Sequence, residues 1–269
     1  MRRPEGPRFL RSDGTPPKLT RIHKEQRWLD EARELEVIHT PATPFRVALL
    51  EMLNRNVLNV IVGDGVKYMG LVTLPKLASE IALWEKKDEP VYKVLLEPLK
   101  RALMSAKPLT LDMGDKEVRE VLEQAPPSDE YPIVQEDKAV GMLPLREVIA
   151  KRPCEATLGS IAKPVPVAKD LNEALKIMYE KATPVVGIED RVLDARDLAK
   201  RIWEERTLEV GQLSLNDLPH EPYEVFKENV KLSEAVESLD IHRVDYVLVQ
   251  LEGGLAYVPI NVAAACSLR

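Results

Sequence analysis

The sequence predicts an α/β (α+β) protein made of four β-α-β-β-α units in two tandem pairs, preceded by an extended basic arm. Three observations lead there. One apolar helical face recurs four times. A similar pair of short strands follows each copy. The charge of the first 28 residues opposes that of the rest.

The arm spans residues 1–28. Before Trp28 it holds eight basic and three acidic residues, a net of +5; the whole chain carries −6, so the remainder carries −11. Four prolines, with the pairs Arg3-Pro4, Gly6-Pro7 and Pro16-Pro17, forbid a long helix. Phe9, Leu10, Ile22 and Trp28 are interleaved among the cations. This pattern suits RNA: Arg2, Arg3, Arg8, Arg11, Lys18, Arg21, Lys24 and Arg27 would meet phosphates, and Phe9 or Trp28 would stack on a base. A solubilising tail is the plainer alternative.

The first pair occupies 29–152. Its first helical face is Phe45, Ala48, Leu49 and Met52, at i, i+3, i+4 and i+7. The strand signals NVIVG and YMGLVT follow, then the helix LPKLASEIA. A segment rich in helix formers, about 80–103, is inserted next. The second face, Val118, Val121, Leu122 and Ala125, leads into YPIVQ, AVGMLP and LREVIAK.

The second pair occupies 153–269. Leu171, Ala174, Leu175 and Met178 form the third face, followed by TPVVG, RVLD and ARDLAKRIW. Leu232, Ala235, Val236 and Leu239 form the fourth, followed by DYVLVQ, LAYVP and INVAAACSL. Successive faces start 73, 53 and 61 residues apart. A short strand precedes each first helix: EVIHT, PLTLD, PVPVA and PYEVF. One unit cannot cover both faces of its own sheet, so units pair.

These segments resemble the CBS motif, present four times as two Bateman modules. SIAKPVPVAKDLNEALKIM and ATPVVGIED with VLDARDL carry the resemblance most clearly, and ALMSAKPLTLD resembles the family's entry to its first strand. The resemblance implies clefts for an adenine nucleotide, AMP, ADP or ATP. The family's Thr-x-x-Asp pair, for phosphate and ribose, maps onto Thr73 and Lys76, Pro144 and Glu147, Asp194 and Asp197, and Pro259 and Val262. No motif keeps the full pair. The third keeps the ribose acid, Asp197, but puts a carboxylate, Asp194, where a hydroxyl is expected. His242 and Arg243 resemble the His-Arg pair that γ subunits of AMP-activated kinases place against phosphates. The resemblance thus implies a site of Val165, Ala182, Thr183, Asp194, Asp197, His242 and Arg243, with Lys76 as a phosphate contact in the first pair. A helix cap at Asp194 is the structural alternative.

In layout the chain also resembles archaeal four-CBS ribosome hibernation factors. That likeness implies ribosomal subunits and rRNA as partners, with translation inhibited by occlusion. The competing expectation is a nucleotide-sensing regulatory subunit acting on a partner enzyme or kinase; a homodimer is a further assembly open to either. Neither reading requires a cofactor.

Composition closes other routes. Hydrophobic residues at 45% and charged residues at 30% fit a soluble globular protein, and no apolar run reaches the roughly 18 residues that span a bilayer. The N-terminus lacks the apolar core of a secretory signal. The four histidines have no metal-ligand spacing, and GxSxG, Walker and GxGxxG patterns are absent, so no catalytic or metal residue is assigned. Two distant cysteines, Cys154 and Cys266, predict a reducing, cytoplasmic setting without a disulfide.

Overall fold

A computed structural model describes residues 26–35, 37–65, 67–218, 224–241 and 243–269. Within them the four repeats appear in sequence. The first comprises α1 (Phe45–Arg55), β1 (Asn59–Asp64), β2 (Lys67–Thr73) and α2 (Leu74–Ala82). A short helix α3 (Val91–Val94) lies in the insertion, which is otherwise turns and a 3-10 turn rather than long helix. The second repeat runs β3 (Leu109–Thr110), α4 (Asp115–Gln124), β4 (Glu130–Gln135), β5 (Lys138–Pro144) and α5 (Leu145–Lys151).

After the short α6 (Leu158–Ile161) and β6 (Lys163–Pro164) comes the third: β7 (Val167–Ala168), α7 (Leu171–Lys181), β8 (Val185–Ile188), β9 (Arg191–Asp194) and α8 (Ala195–Glu204). The fourth is β10 (Val225–Lys227), α9 (Leu232–Ser238), β11 (Tyr246–Leu251), β12 (Gly254–Pro259) and α10 (Ile260–Ser267).

Local chemistry explains the boundaries. Asp170 caps α7: its carboxylate accepts the Glu173 backbone N–H at 2.8 Å, and the Glu173 carboxylate returns to the Lys169 N–H. In each repeat the second hairpin strand runs straight into its helix. The helix's first N–H then bonds back to the residue before the first hairpin strand, as Leu74 does to Leu58, Leu145 to Asp129 and Ala195 to Pro184.

The first pair forms one five-stranded sheet in the order β1-β2-β5-β4-β3, joined across the pair at Lys67 opposite Lys138. The second pair divides into β10-β11-β12-β6 and β7-β8-β9. Lead-in segments are exchanged between partners. Arg33 bridges to Met142 of the second repeat, Met104 to Leu71 of the first, and β6 to β12 of the fourth. At the second of these crossings Gly70 has φ +152°, and a Cβ there would strike the Met104 carbonyl, so glycine is required.

Helix packing connects the pairs. α2 packs on α7 and α8, while α10 packs on α4 and α5. The core therefore separates into two clusters. One joins the first and third repeats through Phe45, Leu49, Leu77, Met178, Leu198 and Ile202; the other joins the second and fourth. All four predicted helical faces point into these clusters.

The centre, where all four repeats meet, is charged and buried. Arg146 of α5 donates from Nε to Asp129 at 2.6 Å and from Nη2 to Asp245 at 2.9 Å, and its Nη1 reaches the Ile241 and Val244 carbonyls. Arg196 of α8 grips both oxygens of Asp245, at 2.8 and 2.7 Å, and reaches toward the Met52 carbonyl. Asp129 also accepts the Leu58 N–H. Burial alone would lower the Arg146 pKa; Asp129 and Asp245 outweigh it and raise it, so the guanidinium stays charged.

Two expectations need correction. Trp28, assigned to the arm as a base-stacking residue, is fully buried, and its indole N–H donates to the Met113 carbonyl at 2.9 Å. Gln26 is buried beside it, and Arg27 pairs with Asp115 at 3.0 Å, so the folded body already includes residue 26. The cause is apolar area: a tryptophan flanked by Leu29 and Ala32 gains more in the core than on an arm. The rest of the arm lies outside the described residues.

The cysteines also differ from expectation. Cys154, at the junction of the pairs, forms a disulfide with Cys266 in α10, their Cα atoms 5.7 Å apart. Sequence distance concealed this contact because α10 folds back onto the junction. The bond closes a loop with a separation of 112 residues. Reducing it, or Cys266→Ser, should lower the unfolding free energy by roughly 2–5 kcal/mol. Denaturant unfolding with and without reductant checks this; identical midpoints for the wild type in both would count against a formed bond.

Candidate ligand-binding site

Between the third and fourth repeats lies a cleft of about 230 Å³. Its apolar wall is Val192 of β9, Leu239, Val244 and Leu248 of β11, with Tyr246 beside them. Its polar lining is Asp194, Arg196, Asp197, Lys200, Glu224, Arg243 and Asp245. Three of the residues assigned from sequence, Asp194, Asp197 and Arg243, therefore share one cavity.

Asp194 ends β9 and caps α8. One carboxylate oxygen accepts the Arg196 and Asp197 N–H groups at 2.7 and 3.1 Å. The other accepts the Tyr246 hydroxyl at 2.7 Å. The structural alternative, a helix cap, is thus realised, and the cap faces the cleft. Burial and the nearby Asp245 charge push the Asp194 carboxyl up to about 6. Burial likewise raises Tyr246, so its hydroxyl remains a donor to Asp194.

The cations are engaged. Arg196 is held by Asp245. Lys200 lies 3.9 Å from Asp197, one turn along α8. Arg243 is largely exposed and pairs with Asp240 at 2.9 Å. His242 lies outside the described residues.

The remaining assigned residues stand elsewhere. Val165 packs with Val185, Val192, Leu248 and Tyr257, so it backs the cleft wall without lining the cavity. Ala182 ends α7 in the left-handed region, with φ 50°, and is buried. Thr183 is buried too, its hydroxyl bonded to the Val185 carbonyl and the Tyr257 hydroxyl. Neither Ala182 nor Thr183 lines this cavity. Lys76, expected at phosphate in the first pair, instead lies 3.7 Å over the Tyr179 ring and bonds the Tyr179 carbonyl, joining α2 to α7.

Sequence reading missed Arg196, Tyr246 and Asp245. Aligning the repeats would have exposed two of them. Arg146 and Arg196 occupy the same helix position, just before the ribose-acid position, and Asp129 and Asp245 both sit just ahead of the first hairpin strand. Among the described residues no group of three or more His, Cys, Asp or Glu is arranged to hold a metal ion, and no helix is long and apolar enough to cross a membrane.

The Asp194 environment generates a pH signature. In the unfolded chain its pKa returns to 3.8, against about 6 when folded. Below both values the group is protonated in either state. As pH rises between them, the folded state holds its proton more tightly than the unfolded chain, so ionisation removes stability. Asp194→Asn keeps a capping side chain and abolishes that loss. Its melting temperature relative to wild type should rise from about pH 4 to pH 7; a difference constant with pH would contradict the shift.

No protein-family model matches the chain, and no curated protein matches it. Solved structures do. A protein of Methanocaldococcus jannaschii proposed to be an archaeal homologue of g-AMPK is 15% identical; the match covers 91% of this chain and 99% of that one at a TM-score of 0.65. An uncharacterised conserved protein of Pyrococcus horikoshii is 12% identical over 88% of this chain and 97% of its own, at 0.50. CBSX2, solved with AMP, matches 45% of this chain and 92% of its own, with 17% identity and a TM-score of 0.36. In fold, this chain resembles the Methanocaldococcus jannaschii protein proposed to be an archaeal homologue of g-AMPK.

Proposed function

We propose that this chain is a non-catalytic sensor that takes an adenosine-containing ligand in the cleft between its third and fourth motifs and passes the signal to a partner enzyme or kinase. One observation carries the reading. Arg196 and Asp245 line the cleft and also join the two pairs at the centre of the molecule. A ligand that altered either residue would act on inter-pair packing directly. The cleft suits such a ligand: Val192, Leu239 and Leu248 offer an apolar wall for a purine, and Asp197 a carboxylate for ribose hydroxyls.

Calorimetric titration with adenosine and with AMP tests this. At least one should bind in the micromolar range, and Asp197→Ala should weaken that binding by about tenfold or more. Flat titrations with both probes would remove the reading.

The charge of residues 1–25 favours a second role, contact with ribosomal RNA as a hibernation factor. Trp28 is excluded from that contact surface by its place in the core. The remaining RNA candidates, Arg2, Arg3, Arg8, Phe9, Arg11, Lys18, Arg21, Lys24 and the exposed Arg27, carry the reading. Deleting residues 2–25 should release the protein from sedimenting ribosomes, and rising salt should do the same to the intact chain. Equal co-sedimentation of both forms would eliminate the role.

A further inference from the structure

The cleft's charge bears on which adenosine compound it accepts, an inference that rests on the adenosine reading above. A phosphate at the start of α8 would need two things: unclaimed backbone N–H groups and a donor-rich cation. The protein has already used both. The Arg196 and Asp197 N–H groups point at the Asp194 carboxylate. The Arg196 fork is closed on Asp245 in a bidentate pair, and both partners are buried. Two carboxylates thus stand where a ligand phosphate would seek its partners.

The rest of the lining agrees. Among the described residues four carboxylates, Asp194, Asp197, Glu224 and Asp245, line the cleft against three cations. Each of those cations already has an acid beside it: Arg196 has Asp245, Lys200 has Asp197 and Arg243 has Asp240. The Asp194 carboxyl is itself pushed up to about 6 by burial and by Asp245, so negative charge is already disfavoured there. A divalent cation could bridge carboxylate and phosphate, but the described residues include no acid cluster arranged to hold one.

We propose that this cleft selects an adenosine derivative that is neutral or cationic at its 5′ end and discriminates against the 5′-phosphorylated forms, with Asp194 as the residue that sets the preference. Asp194 works as an internal anion. It takes the helix-start donors and the Tyr246 hydroxyl, and repels a second anion from the same place.

Parallel titrations of the full-length protein with adenosine, AMP and ADP at neutral pH decide the matter. Adenosine should bind about tenfold or more tighter than AMP, and ADP no better than AMP. Asp194→Thr, which restores a hydroxyl that still caps α8, should narrow or reverse the gap by raising AMP affinity. Asp194→Asn, which removes the charge while keeping the shape, should do so too. AMP binding as tightly as adenosine in the wild type, or an unchanged gap in both variants, overturns the inference while leaving the cleft reading intact. Failure of all three compounds to bind overturns both.

Discussion

The molecule turns on one buried ionic arrangement. Arg146 and Arg196 come from different pairs and converge on Asp245, while Arg146 also holds Asp129. Taking four charged groups out of water is expensive, and the geometry must be good to offset that cost. It is good: Asp245 receives three charge-assisted hydrogen bonds, and Arg146 spends its other donors on the Ile241 and Val244 carbonyls. Such a centre adds little net stability over a well-packed apolar one. Its value is registration, because a slipped pairing of the repeats would strand a buried charge at a cost of about 3–5 kcal/mol. The two apolar clusters on either side tolerate many sequences; the charged centre accepts one alignment.

The four repeats have divided labour. At the equivalent helix starts the caps are Thr73, Pro144, Asp194 and Pro259, and of these Asp194 alone bonds its helix's N–H groups through its side chain. In the other repeats, side chains two or three residues past the cap serve packing between pairs. Lys76 lies on Tyr179, Arg146 joins the central network, and Asn261 donates to the Leu122 and Ala125 carbonyls of α4. Positions that line the cleft in one repeat are structural joints in others. In the third and fourth repeats joint and cleft wall coincide, at Arg196 and Asp245.

Much of the fold could be read from the chain because repeat periodicity is a property of sequence. Phe45, Ala48, Leu49 and Met52 announce their helix and its buried face together, and the other three copies repeat the message. What could not be read are contacts between residues far apart in sequence. Nothing local tells Arg146 that Asp245 will be its partner, or Cys154 that Cys266 will lie beside it. Trp28 misled because its basic neighbours dominate the composition, whereas its indole is what decides its location. For the cleft, Asp194, Asp197 and Arg243 were legible through the motif. Val165 lies one layer behind the wall, because a motif gives positions along a strand and not depth, and the buried Ala182 and Thr183 do not line the cavity.

The halves also differ in how they are laced. In the first pair the hairpins share one five-stranded sheet; in the second, among the described residues, the strands fall into two sheets with no ladder between them. The cleft lies along that seam, between β9 and β11. Opening or closing it disturbs side chains, such as the Tyr246 hydroxyl on Asp194, and breaks no interstrand backbone bonds. Whatever fills the seam therefore sits between two sheets of one pair, while the other pair presents a single sheet.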